Sequence, residues 1–171
     1  TPVLVLGSAD GRVAFSLAAR GHRVVAVEPS ERMHSTAGDR RPADAATHEV
    51  KLVHADLRTV RLEEKFTMVL APQNALGLMG SPDDFEAALV TVAHHLARDG
   101  VFAFDLRSDS DRDPPPLGRP AAFTAHMRER GGQSVRRLRR RVFSPSEVDA
   151  ALGRAGLEAR ERYGDFLSRP W

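Results

Sequence analysis

Residues 3–12, Val-Leu-Val-Leu-Gly-Ser-Ala-Asp-Gly-Arg, constrain this chain more than any other stretch. Four apolar residues run into a turn of small residues. A helical pattern then begins, with Val13, Ala14, Leu17 and Ala18 on one face and Gly21 as its stop. Val24-Val25-Ala26-Val27 follows as a second, wholly apolar strand and ends at Glu28. Continuous apolar strands of this kind belong in a parallel sheet covered on both faces. The first strand therefore ends at a turn that exposes backbone, and the second ends at a carboxylate.

Backbone N–H groups beside a turn suit polar or anionic ligand groups, and an acid about twenty residues on suits ribose hydroxyls. The arrangement points to a nucleoside-containing cofactor. A dinucleotide fingerprint needs G-x-G-x-x-G, and here those places hold Gly7, Ala9 and Arg12; a phosphate-cradling loop needs a Gly-Lys-Ser/Thr end, and the turn has no lysine.

The stretch resembles the first motif of class I S-adenosylmethionine (SAM)-dependent methyltransferases, with Gly7, Gly11 and Arg12 matching the common GxGxGR form. The resemblance continues in order. Val27-Glu28-Pro29-Ser30 with Met33 is similar to the second-strand motif, and His54-Ala55-Asp56-Leu57-Arg58 to the adenine-reading motif. Phe66 to Asn74 resembles the fourth strand and its substrate-facing loop, and Gly100 to Leu106 the fifth strand. Residues 143–147, 155–157 and 163–166 resemble the end of a small-molecule branch. The resemblance implies SAM as cofactor and S-adenosylhomocysteine as product. It also implies a cofactor site made of Gly7, Ser8, Ala9, Gly11, Arg12, Glu28, Pro29, Met33, Asp56, Leu57, Ala71 and Gln73. Gln73 and Asn74 stand just past the fourth strand, on the edge where open α/β sheets bind ligands. Three positions depart from the pattern: Val5 for the first-motif acid, Ala9 for the middle glycine, and Thr67 for the usual Asp. They lead to an expectation of weakened cofactor affinity, and they keep open a methyltransferase-like binding module without catalysis. A nicotinamide-dependent oxidoreductase is the other alternative.

Strand and helix alternate down the chain. Ser30 can cap a short helix through Met33, residues 36–48 read as a loop, and Val50 to Ala55 as the third strand. Ser81-Pro82-Asp83-Asp84 is a strong helix start, and Phe85, Leu89, Val92 and Leu96 make one buried face closed by Gly100. The fold class is α/β, a doubly wound, mostly parallel, Rossmann-like sheet with a β-hairpin insertion after the fifth strand. Residues 1–107 and 144–171 form the SAM-binding core. Residues 108–143 form a Pro-rich connector (108–118) and a hairpin (121–130 and 133–143), expected to act as lid and substrate wall. Ser144 and Glu147 make a capping box, Phe143 can staple onto Val148, and Leu157 to Phe166 reads as a last strand.

At 171 residues the chain fits one domain. It starts directly at a core strand and shows neither a signal peptide nor a membrane-length apolar run. It lacks cysteine, which excludes disulfides and thiolate metal sites and leads to the expectation of a cytoplasmic protein. The pattern starts without the helices that usually precede the first strand and stops before the usual antiparallel seventh strand. Cations are almost all arginine, with Lys51 and Lys65 the exceptions, and eight arginines crowd residues 119–143 against one acid, Glu129. An anionic small molecule is a candidate substrate, and nucleic acid is disfavoured as a partner. The seven histidines show no metal spacing. His94-His95 reads as a helix-end pair facing the dipole, and His126, in the hairpin, is a weak candidate for a general base, as is Asn74 for a catalytic contact.

Overall fold

The computed structural model describes residues 1–43, 50–107, 120–129, 132–164 and 166–167. Five strands form one parallel sheet in the order β3-β2-β1-β4-β5: β1 (Pro2–Leu6), β2 (Arg23–Glu28), β3 (Val50–His54), β4 (Phe66–Ala71) and β5 (Leu96–Phe104). The register pairs Leu4 with Val25 on one side and Val69 on the other. Every residue of β1 from Val3 to Leu6 is fully buried, as its unbroken apolar run requires for a central strand. The strand order reverses at β1, between β2 and β4, so a switch point opens at the carboxyl edge beside the first turn.

Side chains alternate across the sheet and build two cores. On one face Leu4, Leu6, Val25, Val27, Phe66 and Val69 pack under α3 (Pro82–His95) and α4 (Pro145–Arg154). On the other, Val3, Val5, Val24 and Ala26 meet Ala14, Phe15 and Ala18 of α1 (Arg12–Ala18). Caps fall where the side chains call for them. Ser30 accepts from the Met33 N–H at 3.4 Å, Ser81 from Asp84 at 3.1 Å, and Ser144 from Glu147 at 3.2 Å, the last completed as a capping box.

Four expectations are corrected. The helix capped by Ser30, α2 (Glu31–Asp39), runs well past Met33, because Ala37 buries against the sheet and makes a further turn worthwhile. The expected loop therefore begins at residue 40, and residues 44–49 lie outside the described residues. α3 ends at His95 rather than Gly100. β5 begins at Leu96, which pairs with Phe66, and the next pair is Met68 with Val101, so 97–100 form an irregularity within the strand. Residues 157–164 form no strand: from Glu158 to Tyr163 they are exposed, and the sequence offers no apolar side to hold them on the sheet. Phe143 stacks on Phe85, with ring centroids 4.2 Å apart, and so anchors α4 to α3.

Beyond β5, β6 (Pro120–Glu129) and β7 (Gly132–Arg141) pair antiparallel as a separate two-stranded sheet, with His126 opposite Val135. β7 approaches the 3₁₀ turn Leu76–Leu78 that follows β4. The connector at 108–118 and the link at 130–131 lie outside the described residues.

Candidate functional site

The parallel strands bring their carboxyl ends to one edge, and the turn after β1 is built into it by backbone bonds. Gly7 and Ser8 both donate N–H to the Val27 carbonyl, at 2.9 and 3.0 Å, and Gly11 donates to the Ser8 carbonyl at 2.9 Å. To lie this flat on β2 the turn adopts left-handed backbone at alternate residues: Gly7 (φ +71°), Ala9 (φ +49°) and Gly11 (φ +82°). Glycine is required at both ends. A Cβ at position 7 would stand 2.6 Å from the Ala75 Cβ, and one at 11 only 2.4 Å from the Phe15 ring. Ala9 carries its side chain in a conformation that L-residues disfavour.

Glu28 locks the turn to β2. One carboxylate oxygen accepts from the Ala9 N–H at 2.8 Å and the other from the Ser30 N–H at 2.9 Å, with the residue only 7% exposed. Two bonds on a group with about four acceptor sites leave room for two more donors. Ser8 is also buried, and its Oγ has no hydrogen-bond partner among the described residues. A buried hydroxyl left unmatched is uncommon and calls for a partner.

The other expected residues surround this turn unevenly. Leu57, buried, and Ala75 both border Gly7, so the segments after β3 and β4 close on the first turn from two sides. Pro29 is exposed, and its carbonyl accepts from His54 Nε2 at 3.1 Å; Met33 is half-buried one turn into α2. Arg12 points outward and holds Asp10 at 3.0 Å. Ala71 ends β4 in the core. Gln73 and Asn74 are both left-handed, at φ +60° and +58°. Their turn is tied down by the Asn74 N–H donating to Asp105 at 2.8 Å and by the Asn74 Oδ1 accepting from the Arg107 N–H at 3.1 Å. Gly77 makes this possible, since a Cβ there would overlap Asn74 Oδ1 at 2.2 Å. The Asn74 side-chain oxygen is thus engaged in shaping its own loop. Consecutive strained residues of this kind cluster at ligand-binding turns.

Three features were missed in the sequence. Asp10, 5% exposed, binds both Arg12 and Arg40 and so ties the end of α2 to the turn. Burial raises its pKa, but the Arg12 hydrogen bond and the charges of both arginines outweigh this and hold it below the ordinary carboxylate value. Asp105 supports the β4 turn. His95, fully buried, donates from Nδ1 to the Thr91 carbonyl at 2.7 Å and accepts the Leu62 N–H on Nε2 at 2.8 Å. Burial holds its pKa below the ordinary histidine value, and His95 is a core side chain bridging α3 to the segment after β3 rather than one facing the helix dipole. Asp10–Arg40 and His95–Leu62 are partners thirty or more residues apart, and no local pattern announces them.

Among the described residues, no three His, Asp or Glu side chains are grouped to hold a metal, and no helix is long and apolar enough to cross a membrane.

A sequence model of the methyltransferase domain matches residues 3–100. No curated protein matches the chain significantly. Among solved structures, the CcbJ methyltransferase from Streptomyces caelestis superposes with a TM-score of 0.81 at 24% identity, over 99% of this chain and 78% of that one. A SAM-dependent methyltransferase from Clostridium acetobutylicum gives 0.82 at 15% identity, with the same coverage. SAM-bound CalS10 from Micromonospora echinaspora, an amino pentose methyltransferase, gives 0.75 at 21% identity over 99% and 80%.

Proposed function

This chain belongs to the class I SAM-dependent methyltransferases, and from that premise we propose that it transfers the methyl group of SAM to a small-molecule acceptor at the carboxyl edge of its sheet. The observation that carries the reading is the buried Glu28 carboxylate, bonded to the first turn through Ala9 and still able to accept two hydroxyls. The unmatched Ser8 Oγ and the two glycines that admit no Cβ fit the same group.

In this reading Glu28 accepts from the ribose hydroxyls, and Asp56 with Leu57 holds the adenine end. The backbone of Gly7, Ala9 and Gly11, with Ser8 and Arg12, faces the amino-acid end. Pro29, Met33 and Gln73 line the walls, whereas Ala71, expected among them, is fully buried in the core beneath. Bound SAM supplies an already activated methyl on a sulfonium. What remains for the protein is to align the acceptor in line with that methyl and to exclude water, which can contribute ~7–11 kcal/mol in favourable cases. No general base has to be prominent for such chemistry. The strained turn at Gln73 and Asn74 presents the acceptor side, with Asn74 shaping the loop. The hairpin of β6 and β7 serves as lid and substrate wall, supported by the approach of β7 to the turn after β4. Its arginine-rich sequence favours an anionic acceptor. The amino pentose substrate named for CalS10 and the glycopeptide named for the N-methyltransferase MtfA support a small-molecule acceptor in general.

The strained Ala9 and the wholly buried, apolar Val5 favour a second reading, a binding module without turnover. The test incubates the protein with SAM and a panel of amino sugars, sugar acids and phenolic acids while following release of S-adenosylhomocysteine. Release above the no-acceptor control with at least one compound supports transfer. SAM binding with no release across the panel supports the binding module.

A further inference from the structure

The segment after β3 is bolted along one face of α3. Arg58 bonds to Asp84 at 2.5 Å, the Thr91 hydroxyl donates to the Arg58 carbonyl at 2.9 Å, and His95 accepts the Leu62 N–H at 2.8 Å. Residues 84, 91 and 95 are spaced to share a helix face. The fixed object at the head of this segment is Asp56, and Arg58 wraps it. The Arg58 N–H donates to Asp56 Oδ1 at 2.8 Å, its Nε–H is shared between Oδ1 at 2.9 Å and Oδ2 at 3.1 Å, and Nη2 donates to Oδ2 at 2.5 Å. Those are three hydrogens on a group with about four acceptor sites, so about one site remains. The remaining arm of the guanidinium, Nη1, is anchored on Asp84, whose N–H is capped by Ser81, and this ties the fork to α3.

We propose that Arg58, held by Asp84, is a positioning residue that presets Asp56 to accept one hydrogen bond from the 6-amino group of adenine and so makes the site selective for adenosyl over 6-oxo ligands. The proposal rests on Asp56 being the adenine-reading acid. Asp56, Arg58 and Asp84 are 39%, 43% and 28% exposed in their side chains, and exposed ion pairs contribute little to stability. A network this complete at the surface finds its reason in geometry. The hydrogen bond from Arg58 also holds the Asp56 carboxyl below the ordinary carboxylate value, so it remains an acceptor through the neutral range. A 6-oxo purine would set an oxygen against that oxygen, an acceptor facing an acceptor, and would forgo the hydrogen bond that the 6-amino group donates.

Calorimetric titration with S-adenosylhomocysteine and S-inosylhomocysteine tests this on the whole chain. Wild type should prefer the adenosyl ligand by at least tenfold. Arg58→Ala should weaken the adenosyl ligand at least fivefold and the inosyl ligand less than twofold, collapsing the preference. Arg58→Lys, which keeps the charge but loses the fork, should behave like Arg58→Ala. Asp84→Asn, which leaves Asp56 untouched, should shift the preference the same way by two- to fivefold, and it decides the matter if Arg58→Ala does not fold. A preference unchanged in Asp84→Asn and Arg58→Ala, with Asp56→Ala abolishing it, overturns the role of Arg58 alone. A preference that survives Asp56→Ala overturns the assignment of Asp56 and the proposal with it.

Discussion

Ala9→Gly should make the protein more stable, an unusual outcome for a change to glycine. Ala9 sits at φ +49°, and a non-glycine residue in that region costs ~1–2 kcal/mol. Glycine removes that strain but returns ~0.5–1 kcal/mol through the greater freedom of the unfolded chain. The backbone N–H that donates to Glu28 at 2.8 Å is unchanged by the substitution, so the turn keeps its lock. The net gain is ~0.5–1 kcal/mol, which for a chain of 171 residues is a rise in Tm of ~1–4 °C. Thermal unfolding followed by circular dichroism measures it, and titration with S-adenosylhomocysteine should show affinity equal to wild type or tighter. A variant that melts below wild type would mean that Ala9 is not held left-handed, and the strain argument would fall.

Gly7→Ala should do the reverse. Strain at φ +71° and a Cβ placed 2.6 Å from that of Ala75 together cost ~2–5 kcal/mol, read as a lower Tm and lost S-adenosylhomocysteine binding. Val5→Asp, which would restore the first-motif acid of the relatives, should destabilise by ~1–3 kcal/mol or more, because Val5 is fully buried among Val3, Ala14 and Ala26 and offers a carboxylate no partner; a chemical denaturation series shows whether the midpoint falls. Stability should also depend on His95. Its folded pKa lies below the unfolded value of about 6.5, so its contribution is complete above that pH and declines as pH falls through it, by up to ~1.4 kcal/mol per pH unit. His95→Gln, which keeps an acceptor for Leu62, should lose less stability than wild type between pH 7.5 and 5.5.

The framework of the site was legible because local chemistry sets it. Val3 to Leu6 can only be a central strand, Gly7 and Gly11 mark the turn, and Ser30, Ser81 and Ser144 each announce a helix. Glu28 was visible from its place at the end of an apolar strand, but its bond to Ala9 was not, since the partner lies 19 residues away. The same holds for Asn74 with Asp105 and for Asp10 with Arg40. The misread boundaries have physical causes. Gly100 looked like a helix stop, yet it sits in the irregular start of β5; residues 157–164 alternate in a strand-like way but carry charges at 158 and 160–162 and stay exposed from 158 on.

The most direct test of the account is whether the Glu28 turn holds the nucleoside of SAM. At about 100 times its Kd, S-adenosylhomocysteine should stabilise the fold by ~2.7 kcal/mol, a rise in Tm of ~5–10 °C, while NAD at the same concentration gives none. Glu28→Ala, compared with its own unliganded Tm, should lose most of that shift, because the carboxylate proposed to accept the ribose hydroxyls is gone. A shift with NAD and none with S-adenosylhomocysteine, or a full shift retained in Glu28→Ala, would contradict it.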